Sequence, residues 1–442
     1  MPRMFKLKRR HTLLIALAAV LCVASLMTYW LIDEKPTALA EQWSARLPQP
    51  PDAENGYDLL VALGVSAELN AIEEGRRWVE AVNAAHERAL RGENPNYPPV
   101  LGAPLNIDIK DWCQWPRTDC LAWSLAQRQR LVAEMRRHAV LVSRYESLMQ
   151  YPAVTERVVF SIDAPLPSFQ YTVHAARLYQ AQRLLDFEAG NKQSAVDLTA
   201  KHVIFARRFL QTSHTLIQRM IAAAVLTHAT TSLSELLRAD PGLAVSHAAT
   251  LSDALSAMTD AEKDMTLTLR AEFQYFVPTL RTICRQPSWM TAAVDEACGP
   301  LHHVLYREQA TINLAAGVRD SEISLLSAPP AALASSQVAL NNLLGSPADI
   351  LAQFGYNAMG RRVAGLTTSI STYAIRLHDT DALLRAVAAQ AREYRVQRGE
   401  RPTPPFMDVY DGTPIEPRDG RIVVRCRSEH RTCAQKMIII PQ

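Results

Sequence analysis

"YTVHAARLYQAQRLLDFEAGNKQSAVDLTAKHVIFARRFLQT", residues 171–212, decides the fold class. Two segments of helical length flank Gly190-Asn191, a pair that ends one helix and lets the chain turn back. The stretch predicts a helix hairpin. "SHTLIQRMIAAAVLTHATTSLSELLRAD" (213–240) follows, with a nearly all-apolar middle too short to span a bilayer. It predicts a buried core helix, ended by Asp240-Pro241-Gly242.

Working outward, helical patterns continue on both sides. Upstream, Leu121, Leu125, Val132, Met135, Ala139, Val142 and Met149 recur at the helical period. They predict one helix over 121–151, with Arg128, Arg130, Arg136 and Arg137 on a solvated face. "NGYDLLVALGVSAELNAIEEG" (55–75) and "RRWVEAVNAAHERALRG" (76–92) predict two more, with Gly64 and Gly92 near their ends. Glu73 and Glu74 read as first-turn acids. "YPAVTERVVFSIDAPLPSF" (151–169) breaks the pattern, and "TTSISTYAIRLHDTDALLRAVAAQAREYRVQRG" (367–399) closes the helical region. The tail is rich in Pro and Gly and then β-branched. Asp419-Gly420 is a hairpin turn signal, and strands around 421–425 and 434–440 would place Cys426 and Cys433 across the base of a second turn. Gly190, Asn191 and Ala195 resemble one tetratricopeptide-like turn, but no 34-residue repeat accompanies it, so the hairpin is a plain helix pair.

The amino terminus sets the expected compartment. "MPRMFKLKRR" carries five Lys/Arg and no acid, and an uncharged run of 21 residues, Thr12 to Ile32, follows. At ~1.5 Å per residue it reaches ~30 Å, the thickness of a bilayer core. Tyr29 and Trp30 sit near its far end, and Asp33 and Glu34 come next. Basic residues stay cytoplasmic, so the chain is expected to be a single-pass protein of a bacterial inner membrane with its body in the periplasm. A cleaved signal peptide is the rival, since Ala38-Leu39-Ala40 has the small-x-small form, but that site lies well past the run. Removing the five basic residues of the stub leaves 42 Lys/Arg against 44 Asp/Glu, so the rest of the chain offers no footprint for nucleic acid.

The expected organisation is a cytoplasmic stub (1–11), a transmembrane helix (12–32) and a linker (33–54) that reads as a short helix followed by an extended spacer. A helical periplasmic domain (55–398) and a small disulfide-stapled β-hairpin unit (399–442) complete it. The fold class is mainly α.

Six cysteines lie beyond the run: Cys113, Cys120, Cys284, Cys298, Cys426 and Cys433. An even set in an exported chain argues for disulfides. Local pairing, 113–120, 284–298 and 426–433, is the economical choice. Zinc at Cys426, His430 and Cys433 is opposed by Arg425, Arg427 and Arg431 and lacks a fourth ligand. Cys22 reads as an ordinary apolar residue.

Five stretches together resemble an uncharacterised family of single-pass, membrane-anchored, mainly helical envelope proteins of Gram-negative bacteria. They are "ENGYDLLVALG" (54–64), "REQATINLAAG" (307–317), "GYNAMGRRVAG" (355–365), "YAIRLHDTD" (373–381) and "DVYDGTPI" (408–415). Where the family has Q-P-N-A-T-x-N, Ala310, Thr311 and Asn313 match. Where it has Y-N-P-x-G-K, Tyr356, Asn357 and Gly360 match, with Ala358 and Arg361 departing. Where it has D-P-[FY]-x-G-x-P, Asp408, Tyr410, Gly412 and Pro414 match, with Val409 departing. The resemblance implies an anchored helical body and brings no catalytic residues.

No metalloprotease, nucleophile-elbow, Walker or dinucleotide motif is present. His302, His303 and Glu308 are awkwardly spaced for metal binding, and His378, Asp379 and Asp381 read as the cap of a helix starting near Asp381. No catalytic, cofactor or metal residue is therefore assigned. Trp112, Trp115 and Trp123, around the 113–120 loop, are the candidate partner-binding residues, with packing of the loop onto the body as the alternative. Two functions follow: a tethered scaffold or accessory factor binding another envelope protein, or a periplasmic hydrolase of cell wall or glycan whose carboxylates meet only in the fold.

Overall fold

Gly190 takes a φ of 96° at the turn between helices Gln170–Glu188 and Lys192–Thr212, a backbone region that suits glycine. The computed structural model describes residues 14–21, 25, 32–91, 93–103, 113, 119–159, 161, 164–282, 306–333, 356–365, 371–424, 426 and 436–439. The described chain is mainly helical and packs as two units. One holds the described residues of 1–45, 276–322 and 338–368; the other holds those of 46–275, 323–337 and 369–442.

The second unit is built on helix Leu216–Ala239, the hub. Thr215 caps it, its side chain accepting from the Gln218 amide. The hub packs against Lys192–Thr212, Gln170–Glu188, Cys120–Ala126 and Ser371–Gln397. Leu226, Leu233, Leu236 and Leu237 lose all solvent contact, each worth roughly 1.5–3 kcal/mol of apolar burial. Among the described residues it is the helix long and apolar enough to cross a membrane, yet 72% of that window is buried inside the protein. It is a core helix. Of the run 12–32, residues 14–21, 25 and 32 are described. Residues 14–21 are helical, with Leu14, Ile15, Leu17, Val20 and Leu21 all exposed.

A buried polar chain runs through the core. Tyr145 and His202 Nε2 are 2.9 Å apart, His202 Nδ1 and Gln180 Oε1 are 3.1 Å apart, and Gln180 Nε2 donates to Thr199 at 3.2 Å. Because Gln180 presents its oxygen, His202 carries its proton on Nδ1 and accepts from the Tyr145 hydroxyl. Tyr179 and Phe205 pack edge-on around this chain.

Several local expectations give way to the structure. The helix predicted over 121–151 is three pieces, Cys120–Ala126, Arg128–Arg137 and Ala139–Leu148, broken where Gln127 and His138 leave helical dihedrals. The breaks re-aim the inner face onto Leu131 and then Leu141, Val142, Tyr145 and Leu148, while Leu125 and Val140 stay exposed. Helix Ala71–Leu90 runs unbroken through Gly75, which lies against the Asp58 backbone, so no boundary falls there. Asn70 caps it and Glu73 and Glu74 occupy its first turn, as read. His378, Asp379 and Asp381 lie inside helix Ser371–Gln397, not at its start. Tertiary bonds described below let that helix run through them. At the tail, strands Arg421–Val424 and Lys436–Ile439 pair antiparallel, Arg421 opposite Ile439 and Val424 opposite Lys436. Ile422 is buried and the strands pack on Ser371–Gln397, so they join the helical unit instead of forming a separate small β unit.

Burial pushes the His202 pKa down to about 3, and those of His174 and His214 down to about 4. An unfolded histidine titrates near ~6.5, so between these values the unfolded chain binds the extra protons. Stability is therefore complete above about pH 6.5 and falls as the pH drops towards the folded values. His202→Gln keeps an acceptor for Tyr145 and removes one titrating group. Between pH 6 and 5, urea unfolding of the wild type should lose about 1.4 kcal/mol per pH unit more than the variant does. Equal pH slopes would contradict this reading.

Candidate functional site

Cys113 and Cys120 are disulfide-bonded, with their Cα atoms 5.4 Å apart. Helix Cys120–Ala126 starts at the second cysteine, and Asp119, its N-cap, makes no side-chain cap bond. Free amides at a helix start need acceptors. The hub supplies them: Glu235 accepts from the Cys120 amide at 3.1 Å and from the Leu121 amide at 2.8 Å. Burial raises the Glu235 pKa, and these two amides oppose the rise. His228, also on the hub, lies against the Cys113 backbone. His228 and Glu235 are seven residues apart, two helical turns, and so share one face. Both feet of the disulfide loop thus lie against one core helix, and the second is hydrogen-bonded to it.

Trp123, half-buried, stands on the helix leaving this clamp. Trp112 and Trp115 lie outside the described residues, as do Cys284, Cys298 and Cys433. Cys426 is disulfide-bonded. Sequence reasoning found the cysteine pair but missed His228 and Glu235. The available signal was two polar residues, seven apart, within a helix otherwise read as apolar core.

Other buried carboxylates also serve as caps or ion-pair partners. Glu156 accepts from the His214 and Thr215 amides, each at 2.8 Å, and from the Thr215 hydroxyl; burial raises its pKa against these donors. Arg207 and Glu262 form a two-bond pair at 2.7 and 2.9 Å. Asp381 accepts from the Met258 amide and Arg385, and Asp379 accepts from the Tyr410 hydroxyl. A groove of about 370 Å³ lies at the hub's start, lined by Leu166, Leu216, Ile217, Met220, Tyr275 and Tyr373 among others. The acid lining it, Glu272, accepts from the Leu216 amide at 3.0 Å. Two-carboxylate hydrolysis needs a second acid facing the first. Among the described residues no cluster of three or more His, Cys, Asp and Glu is placed to hold a metal ion. Glu308 lies 3.7 Å from Arg281, while His302 and His303 are outside the described residues.

The first unit holds a second constellation, a clasp on the segment after the apolar run. Asp33 accepts from the amides of Gln309 and Ala310 at 2.8 and 3.0 Å, in the first turn of helix Glu308–Leu326. Asn313 donates to Glu34 and to the Lys35 carbonyl and accepts from the Thr37 amide. The Tyr356 hydroxyl donates to the Ile32 carbonyl. Asn357, at a φ of 54°, accepts from the Arg307 amide and donates to Thr311. Gly360 packs so closely on Thr311 and Asn357 that a Cβ would overlap them. Helix Ala38–Ser44 follows with Trp43 buried. The segment expected over 33–54, a short helix followed by an extended spacer, has its helix at Ala38–Ser44, and the polar groups of residues 33–37 fasten it onto this unit.

The five stretches that carry the family resemblance are structural fasteners. Thr311, Asn313, Tyr356, Asn357 and Gly360 build the clasp. Asp379 and Tyr410 join the fourth stretch to the fifth. Asn55 exchanges bonds with the Thr155 backbone, and Asp58 pairs with Arg157 at 2.5 Å. Comparison with family models, curated proteins and solved structures finds no match for the chain.

Glu235→Ala should strand two amides and lower the unfolding free energy by about 1–3 kcal/mol. Glu235→Gln, which keeps an acceptor, should lose less. Denaturant melts separate them; an alanine variant as stable as the wild type would disprove the clamp.

Proposed function

We propose that the protein is a membrane-tethered periplasmic scaffold or accessory factor that binds another envelope protein through the 113–120 loop. The observation carrying this reading is the clamp. A loop closed by a disulfide, with its second foot hydrogen-bonded to a core helix, has less freedom left to lose on binding. Tryptophans on such a loop suit recognition, because they offer large contact area with few rotatable bonds. Trp112 and Trp115 lie on or beside the loop and Trp123 follows on the helix leaving it.

Tethering is part of the same proposal. It is supported by the basic stub, the uncharged run Thr12 to Ile32 and the exposed apolar helix at 14–21. The likeness to the anchored envelope family points the same way. On this reading the amino terminus is cytoplasmic and the body periplasmic, where disulfides persist.

The test combines stability with capture. Tagged Trp115→Ala and Trp123→Ala variants are purified from membranes beside the wild type. Loss of one specific co-purifying envelope protein, with melting temperature unchanged, supports recognition. Retention of that protein by variants that melt earlier would show that the tryptophans only pack the loop. A buried tryptophan lost from a core costs about 3–5 kcal/mol, a plain shift in melting.

A further inference from the structure

We infer that the clasp seats the first unit directly on the bilayer surface, with the opening turn of helix Glu308–Leu326 at the lipid headgroups. The inference rests on the anchored reading above and deepens it. It turns on slack. A free linker of 22 residues, 33 to 54, would let the body wander about 25 Å from the membrane. The clasp removes that freedom. Tyr356 holds the carbonyl of Ile32, the last residue of the apolar run, and Asp33 is bound to the Gln309 and Ala310 amides. One residue, about 3.8 Å of chain, separates the end of the run from a helix of the folded unit.

The side chains around the clasp fit an interfacial position. Ile32 is 61% exposed and Leu314, next in sequence to Asn313, is 39% exposed. Both are apolar residues that water does not favour and the upper acyl region accepts. The polar fasteners have partners within the clasp, Asp33 in the Gln309 and Ala310 amides, Glu34 in Asn313 and Asn313 in the Thr37 amide, and exposed Glu34 and Thr37 suit the hydrated headgroup layer. The occupant of this surface is lipid, not a second protein, because the apolar run delivers the clasp to the membrane wherever the anchor inserts.

The experiment uses the full chain in phosphatidylcholine vesicles. A fluorescent non-natural amino acid replaces Leu314, and a fraction of the lipid carries a headgroup spin label. Quenching is compared in the otherwise unchanged protein and in a variant with a 20-residue Gly/Ser insert between Ile32 and Asp33. Melting curves establish that both fold alike. Asp33→Ala combined with Asn313→Ala opens the clasp without lengthening the chain. Strong quenching that falls at least two-fold in the insert variant and in the double variant is the expected result. Weak quenching without the insert, or equal quenching in all three, overturns the seating. Alkaline carbonate washing of the same vesicles reports the anchor separately. Protein that resists the wash but is not quenched disproves the seating alone; protein that washes off disproves the anchor itself.

Discussion

The second unit depends on the hub helix being polar in a few places and apolar in the rest. An all-apolar helix would bury equally well in several registers. Leu216–Ala239 buries its leucines and also carries Ser234 and Glu235, each bound to a specific neighbour. Glu235 takes two amides of the disulfide foot, and Ser234 donates to Gln390 of the closing helix at 2.6 Å. A one-residue slip would strand buried polar atoms, which costs more than the slip could gain in packing. The hub's apolar surface thus drives collapse, and its polar side chains fix which neighbours it takes.

The same division of labour recurs through the protein. The N-terminus of the hub is held by Glu156 and Glu272, that of Cys120–Ala126 by Glu235, and that of Glu308–Leu326 by Asp33. In each case a carboxylate from a distant segment caps a helix that its own sequence caps poorly or incompletely. Carboxylates used this way are anchored acceptors, and a pKa raised by burial does not by itself make them acids for catalysis. The functional reading therefore rests on what the clamp presents and where the clasp sits.

How much of this was legible in the sequence follows from the range of each interaction. The hairpin at Gly190-Asn191, the hub and the closing helix are set by local periodicity and turn residues, and the sequence shows them. The 113–120 bridge is local and was readable from spacing. The breaks at Gln127 and His138 were not, because they answer to which face must turn inward once the hub is in place. Asp381 resembles a cap only until Met258 and Arg385 are brought to it. The clasp joins residues some 276 to 324 positions apart, so Asp33 reads as a flanking charge and Asn313 as a motif residue without a visible role until the chain has folded. The post-anchor segment reads as a short helix and a proline-rich spacer, with nothing local to say what the helix packs on.

The central claim is that Glu235 of the hub makes the disulfide foot at Cys120 part of the core. Residue-resolved amide hydrogen exchange on the full chain tests it most directly. If Glu235 holds the Cys120 and Leu121 amides as described, they exchange as slowly as amides in the middle of Leu216–Ala239, since both need the same unfolding to open. Exchange at the fast rate of surface loops, while the hub stays protected, would contradict the account.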